Sequence, residues 1–509
     1  MEGKQRKIGA VLSYVSIFVS TLVQLLYTPL LIKMMGQSEY GLYSLISSII
    51  GYLTVLDLGF GNAIVVYTAK YRAQGKVEEE KKLHGMFFMI FCLIGIIAGA
   101  LGLVLHFNVE NIFNATMTSA EMAKAKIMML ILAFNLAVTF PFTIYSSIIS
   151  AYEKFTFQKI MSILNTLLKP ALMIPLLFLG YKSIAMTVVI TIVNVAILLS
   201  NYIYCRKKLN IKIKYTGFDK KLFKVIFGYS FFIFLGVIVD KINWNVDQFI
   251  LGAVSGTIAV SIYSVAAQLN HLFINLSTAM SHIFLPKMSK MVASNAKADE
   301  LTNEMIKVGR IQNYIIFLMA TGLILFGKEF IIWWVGKEYI KSYYVTLILV
   351  IPVCFPLIQN LGLSIMQALN KYRFKSISTF VMAIINCIVS FFLAKEYGPI
   401  GTAIGTAGSL ILCNIIIINI YYAKVINLDI KRFWTEIMKQ TAPLLIPIAT
   451  IILIINITNI TGILSVLIYG TIYVIMYLIT AYCLSMNNYE KEIVKLLVKK
   501  VGIVKCKKN

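Results

Sequence analysis

Residues 148–204 begin IISAYEKFTFQKI, pass through LGYKSIA and end NYIY; residues 365–422 begin IMQALNKYRFKSI, pass through YGPIGTA and end NIYY. Ala151, Lys154, Phe155 and Phe157 fall on Ala368, Lys371, Tyr372 and Phe374 at one constant offset. After a single inserted residue, Gly180, Ala185, Asn201 and Tyr204 fall on Gly398, Ala403, Asn419 and Tyr422. An earlier echo sets GQSEYGLYSL, from Gly36, on GTIAVSIYSV, from Gly256, so that Tyr43-Ser44 meets Tyr263-Ser264. Ile-rich segments produce chance likeness, but the Lys, Asn and aromatic matches sit at the segment ends. Two matched apolar halves predict two lobes around a central path, a plan shared by many transporters.

Of the 509 residues, 59% are hydrophobic and only 14% charged, and the mean hydropathy is +0.82. So little charge cannot cover the surface of a soluble domain of this size. The apolar runs repeatedly reach the roughly 20 residues that cross a bilayer as a helix. An all-α polytopic membrane protein is expected; a barrel is excluded, because its strands are short and alternating. The N-terminal MEGKQRKIGAVLSYVSIF has a basic flank, but its apolar stretch runs on to Ile32 without a small-residue cleavage site, so it reads as a retained first span.

The net charge of +25 lies in short blocks between spans, without interleaved aromatic platforms. That distribution points to membrane topology rather than nucleic acid. Cys92, Cys205, Cys354, Cys387, Cys413, Cys483 and Cys506 show no metal-like spacing and read as packing residues.

Fourteen spans are expected, near 9–33, 41–66, 85–107, 126–150, 158–180, 183–205, 223–247, 257–281, 310–334, 343–368, 376–395, 399–422, 442–458 and 462–485. Basic blocks follow the even-numbered ones: KYRAQGKVEEEKK, EKFTFQK, CRKKLNIKIKYTGFDKK, the Lys287–Arg310 stretch, KYRFK and KVINLDIKR. Positive charge marks the cytoplasmic side, so both termini are expected inside. Residues 1–205 form an N-lobe of six spans, 206–222 a cytoplasmic linker and 223–422 a C-lobe of six. Spans 13 and 14 occupy 423–485, and 486–509 is a basic amphipathic tail on the anionic inner leaflet. Six is an even number, so the second lobe enters in the same orientation and the repeat is parallel. Trp333 and Trp334 are expected at headgroup level, and Gly401 and Gly405 where helices approach closely.

No phosphate-binding loop of the G-x-x-x-x-G-K-[ST] type occurs. The longest outer connection, near His106–Ala125, offers only Glu110 and Glu121, thin provision for sugar-transfer chemistry. Transport is favoured over catalysis. Charged residues inside spans are the better guides, since each costs about 2.5–3.5 kcal/mol on insertion scales. Lys169 lies midway in the fifth span and Asp57 within the second. In the seventh, Asp240, Asn243, Trp244 and Asp247 share one helical face, with Lys241, Asn245 and Gln248 beside it. Gln268, His271 and Asn275 follow the same spacing in the eighth. These predict a wet cavity with Lys169, Lys241, Asn243 and Gln268 for an anionic ligand, and Asp57, Asp240, Asp247 and His271 as ion-coupling candidates. The alternative is internal ion pairing, Lys241 with Asp240 or Asp247, that fixes helix packing.

The stretch TPLLIKMMGQSEYGLYSLISSIIGYLTVLDLGFGNAIVVY, the A-x-x-K-[FY]-x-F junctions and the six-plus-six-plus-two layout resemble the bacterial polysaccharide flippases of the multidrug/oligosaccharidyl-lipid/polysaccharide exporter superfamily. The resemblance implies movement of undecaprenyl-diphosphate-linked sugars from inner to outer leaflet through a cavity of alternating access, lined by basic residues whose positions Lys169 and Lys241 fill here. It implies no catalysis and no cofactor, with a coupling ion, Na+ or H+, left open. The expected setting is the bacterial cytoplasmic membrane, as a monomer among membrane lipids and beside a polysaccharide polymerase and glycosyltransferases, without nucleic acid. A sodium- or proton-coupled drug exporter of the same superfamily is the nearest alternative, though such exporters typically have twelve spans. A membrane glycosyltransferase or polymerase is the alternative from another class.

Overall fold

A computed structural model describes the backbone of residues 2–215, 219–458 and 462–500. Side chains at 2–11, 14, 221, 229, 231–233, 235–236, 239–240, 242–244, 276–286 and 496–500 lie outside the description. The regular elements among the described residues are all helical: α1 (Glu2–Met35), α2 (Gln37–Leu53), α3 (Phe60–Ala73), α4 (Val77–Phe113), α5 (Ser119–Ala151), α6 (Phe155–Phe178), α7 (Ser183–Lys207), α8 (Lys220–Val254), α9 (Gly256–Ala293), α10 (Ala298–Val335), α11 (Ile340–Ile358), α12 (Leu361–Ala368), α13 (Tyr372–Tyr397), α14 (Pro399–Leu410), α15 (Ile418–Lys424), α16 (Ile430–Thr441), α17 (Leu445–Thr458), α18 (Gly462–Thr480) and α19 (Asn488–Lys500). Thirteen stretches among the described residues are long and apolar enough to cross a membrane. The sequence of the seventh expected span adopts the 35-residue α8.

Two expected spans are broken helices. The second is interrupted by a tight 3-10 turn, Thr54–Asp57, then by Leu58 and Gly59 at φ 52° and 73°, before α3 begins. The tenth breaks at Gln359–Asn360 between α11 and α12. Conversely, the expected basic loops are mostly helix. The Lys287–Arg310 stretch is non-helical only at 294–297, because α9 and α10 both run past the apolar segment. Pairs one turn apart, Lys81–Glu78 at 2.7 Å and Lys307–Glu304 at 3.1 Å, support such polar extensions.

The chain divides into two compact units, residues 1–264 with 387–402 and residues 265–386 with 403–509. In the first, α4 packs along α5 and α5 along α7. Close approach rests on small residues, since lipid offers helices no hydrophobic drive to associate. A Cβ on Gly102 would stand 2.3 Å from that of Ala133, and one on Gly401 would stand 2.1 Å from the Leu393 carbonyl. The 206–222 linker is tied down at its described end: the Lys214 amide donates to Lys81 O at 3.2 Å, and a Cβ on Gly85 would meet Lys214 O at 2.0 Å. In the second unit α10 is the spine, packed by α11, α16 and α18. Phe326, Leu444, Ile451, Tyr473 and Tyr477 form a core against it, with the Tyr473 and Thr321 hydroxyls 2.5 Å apart. Of the two expected headgroup-level tryptophans, Trp333 is exposed while Trp334 is buried and stacked on Phe330.

Candidate functional site

The helix break places Asp57 one residue ahead of two left-handed residues. Its carboxylate lies beside the backbone of Gly59 and Gly61, where the chain restarts as α3. A break inside a bilayer strands backbone donors that water cannot reach, and the Asp57 carboxylate is a polar group placed beside them. Its Oδ1 is buried without a hydrogen-bond partner among the described residues.

Lys169 stands half-buried in the middle of α6, immediately before Pro170, with no ion pair or hydrogen bond among the described residues. Lys241 is half-buried on α8. Asp240, Asn243 and Trp244 lie outside the described side chains. Asp247 is buried and accepts the Tyr263 hydroxyl, which joins α8 to α9. That tyrosine is the one matched to Tyr43 in the sequence echo. Gln268 is buried and His271 half-buried, both in the second unit. Thus Asp247 is brought onto Tyr263, while Lys169 and Lys241 belong to the first unit and Gln268 and His271 to the second.

At the end expected to face outward, Glu39, not singled out in the sequence, and Glu121, weighed there only for sugar-transfer chemistry, tie four helix starts of the first unit together. Glu39, on α2, accepts Lys124 and the Ser183 hydroxyl, drawing α5 and α7 onto it. Glu121, on α5, accepts Ser38 at 2.5 Å and Thr257 of α9 at 2.7 Å, besides closing a capping box with Thr118. Carboxylates in first turns complement the positive ends of the helix dipoles. Contact here is close: a Cβ on Gly41 would stand 1.9 Å from the Thr257 carbonyl oxygen. The signal available in sequence was the Thr118-x-x-Glu121 spacing. A groove of about 600 Å³ opens beside Glu39 and Lys124, walled by Leu176, Tyr181, Ile184 and Val188.

At the opposite end, Arg72 of α3 lies 3.7 Å over the Tyr152 ring and donates to Ala151 O at 3.3 Å. Tyr152 donates to buried Glu80 at 2.8 Å. Burial, with the Glu80 carboxylate beside it, holds the Tyr152 phenol above its usual range, so this donor stays protonated. A further opening of about 350 Å³ lies there between α3 and α8, lined by Val66, Tyr67, Lys70 and Val225.

In the second unit, Arg310 gathers α10, α16 and α19. It donates from Nε and Nη2 to the Glu490 carboxylate at 2.5 and 3.0 Å, and from Nη2 to Ser485 O at 3.1 Å. Gln440 of α16 donates to Arg310 O at 2.8 Å.

Residues 8–292 match the family described as polysaccharide biosynthesis protein. A protein of Shigella flexneri named as an O-antigen transporter is 21% identical over 77% of this chain and 92% of its own length. The fold is similar to that of the lipid II flippase MurJ in an inward closed conformation, with a TM-score of 0.72 and 18% identity over 97% of this chain and 99% of that one. It is also similar to an inward-facing multidrug resistance transporter of the MATE family, with a TM-score of 0.63 and 13% identity over 78% of this chain and 96% of that one.

Proposed function

The chain belongs to the polysaccharide biosynthesis protein family, and from that premise we propose that it is a flippase that carries undecaprenyl-diphosphate-linked oligosaccharide from the inner to the outer leaflet. The observation that carries the reading is the similarity to the O-antigen transporter along nearly that protein's whole length. Two fold likenesses weigh against drug export. The flippase-like fold extends over 97% of this chain, the MATE fold over 78%, so the C-terminal spans find counterparts in the first.

The substrate suits such a device. Its apolar tail stays in the bilayer, while its diphosphate and sugars need a polar passage that opens to one side at a time. Lys169 is the leading candidate for the diphosphate, because a half-buried cation inside a span is expensive unless water or an anion compensates it. Lys241, Asn243 and Gln268 are the further substrate candidates, and Asp57, Asp240, Asp247 and His271 the candidates for ion coupling. The two-lobe plan is supported by backbone that recurs with the sequence repeat: Glu153 and Asn370 at φ 55° and 56°, Gly36 and Gly256 at 86° and 82°. In this reading Glu121, which holds both Ser38 and Thr257, closes the outward end.

Purified protein in vesicles with a fluorescent lipid-linked oligosaccharide on one leaflet tests the proposal. Protein-dependent exposure of the sugar to an added lectin on the other leaflet is expected. Efflux of cationic dyes without lipid movement, or formation of a sugar-transfer product, would overturn it.

A further inference from the structure

Four residues of the repeated stretch recur as a built constellation. In the first unit the Phe157 ring stacks on Tyr204, with centroids 3.9 Å apart and planes within 13°. In the second the Phe374 ring stacks on Tyr421 at 4.1 Å and 5°. Three positions before each phenylalanine stands a lysine, Lys154 or Lys371, and three after each tyrosine another, Lys207 or Lys424. Three residues apart is one helical turn, so Lys207 and Lys424 lie on the sides of α7 and α15 that carry Tyr204 and Tyr421, while Lys154 and Lys371 stand in the turns immediately before α6 and α13. The spacing of the four residues recurs, although Tyr421 and Lys424 stand one residue ahead of the positions that the inserted residue aligns with Tyr204 and Lys207. The turns that deliver the first lysines share a left-handed residue, Glu153 or Asn370.

The rings are half-buried or exposed, as are the lysines, and none of the four lysines is in an ion pair among the described residues. Lys371 is positioned by donating to Val425 O at 2.9 Å. Arg206, Lys208, Arg373 and Lys375 add charge nearby; Glu153 is the single acid adjoining the first copy, and Asn370 replaces it in the second. Each constellation lies where a span meets a basic connection, the depth at which aromatic rings and cations settle among headgroups.

We propose that each is a binding station for an anionic phospholipid, the stacked rings lying against the glycerol region and the paired lysines holding the phosphate. Charge complementarity selects a phosphate-bearing lipid over a zwitterionic one. Duplication selects a bulk membrane lipid over the transported molecule: one cargo needs one path, whereas two equivalent stations suit a ligand present throughout the leaflet. The assignment does not depend on which substrate is flipped.

Native mass spectrometry of the full-length protein released from detergent, titrated with phosphatidylglycerol or phosphatidylcholine, tests it. Two tightly held phosphatidylglycerols are expected, with phosphatidylcholine bound more weakly. Lys154→Ala with Lys207→Ala should remove one, Lys371→Ala with Lys424→Ala the other, and the quadruple variant both. Each lysine near an anionic surface is worth about fivefold in affinity, so each pair should weaken its station roughly 25-fold. Thermal unfolding checks that the variants are folded; if the quadruple is not, the two pairs are read separately. Unchanged phosphatidylglycerol occupancy in folded variants overturns the proposal, as does equal retention of phosphatidylcholine. Displacement of the bound lipid by undecaprenyl diphosphate at stoichiometric amounts would instead assign the stations to the cargo and likewise overturn it.

Discussion

Arg310 grips Glu490 through two nitrogens, with the two side chains only 9% and 3% exposed, and so ties the helix that follows the last span to the middle of the second unit. Tyr314 adds a donor to the same carboxylate at 3.2 Å, and the Asn487 amide another at 2.9 Å. Breaking a buried pair on one side leaves an uncompensated charge, which is worth about 3–5 kcal/mol. Glu490→Ala should therefore lower the unfolding temperature in detergent and reduce membrane abundance. Arg310→Met combined with Glu490→Leu should regain much of the loss. If the double variant is as unstable as the worse single one, the pair is not the source of the effect.

Gly41 sits where α2 meets the Thr257 carbonyl, too close for any Cβ. Gly41→Ala should push the helices apart and destabilise the protein by about 1–3 kcal/mol, the usual range for overpacking. Thr257→Ala keeps the packing and removes only the hydroxyl that Glu121 accepts. It should leave the unfolding temperature within a degree or two but raise the outward accessibility of a cysteine placed at Ser38. Unaltered labelling of that cysteine would remove Glu121 from any closing role.

The helical architecture was readable because continuous apolar runs admit little else in a bilayer. The breaks were not. Nothing local distinguishes Leu58 from the leucines around it; its positive φ ends the 3-10 turn, where its amide donates to Val55 O, a matter of backbone satisfaction rather than hydropathy. Arg310 was hidden for a different reason. It closes a stretch rich in basic residues and reads as one more cytoplasmic charge, while its partner Glu490 lies beyond five further expected spans. Asp247 was legible as a costly residue, but its hydroxyl donor Tyr263 is visible only in three dimensions. Glu39 and Glu121 sit in the first turns of α2 and α5, where the sequence offers only the Thr118-x-x-Glu121 cap and their partners Lys124, Ser183, Ser38 and Thr257 come together through folding.

Topology follows from the alternation of basic blocks. Lys212 is exposed in the 206–222 linker. A cysteine placed there should react with a membrane-impermeant maleimide only after the cells are opened. Its labelling in intact cells would invert the assignment.

Lys169→Ala should impair lipid-sugar flipping while leaving insertion and abundance unchanged, because no acid among the described residues depends on its charge. Lys169→Arg should retain part of the activity, since a cation remains. Normal flipping by folded Lys169→Ala protein would return this residue to a packing role.

The Asp247–Tyr263 contact separates structural from ion-coupling use of the acid on α8. If Asp247 serves packing, Tyr263→Phe leaves a buried carboxylate short of a donor, a loss of about 1–3 kcal/mol that appears as reduced abundance. Adding Asp247→Leu removes the acceptor too and should restore abundance, since a pair replaced together by apolar groups is close to neutral. If Asp247 binds the coupling ion, the double variant cannot flip normally, because the ion has lost its ligand whatever the packing. We expect abundance to recover and the dependence of flipping on a sodium or proton gradient to be lost. Gradient-dependent flipping at wild-type rate in the double variant would rule Asp247 out of coupling and leave Asp57, Asp240 and His271 to be tested in the same way.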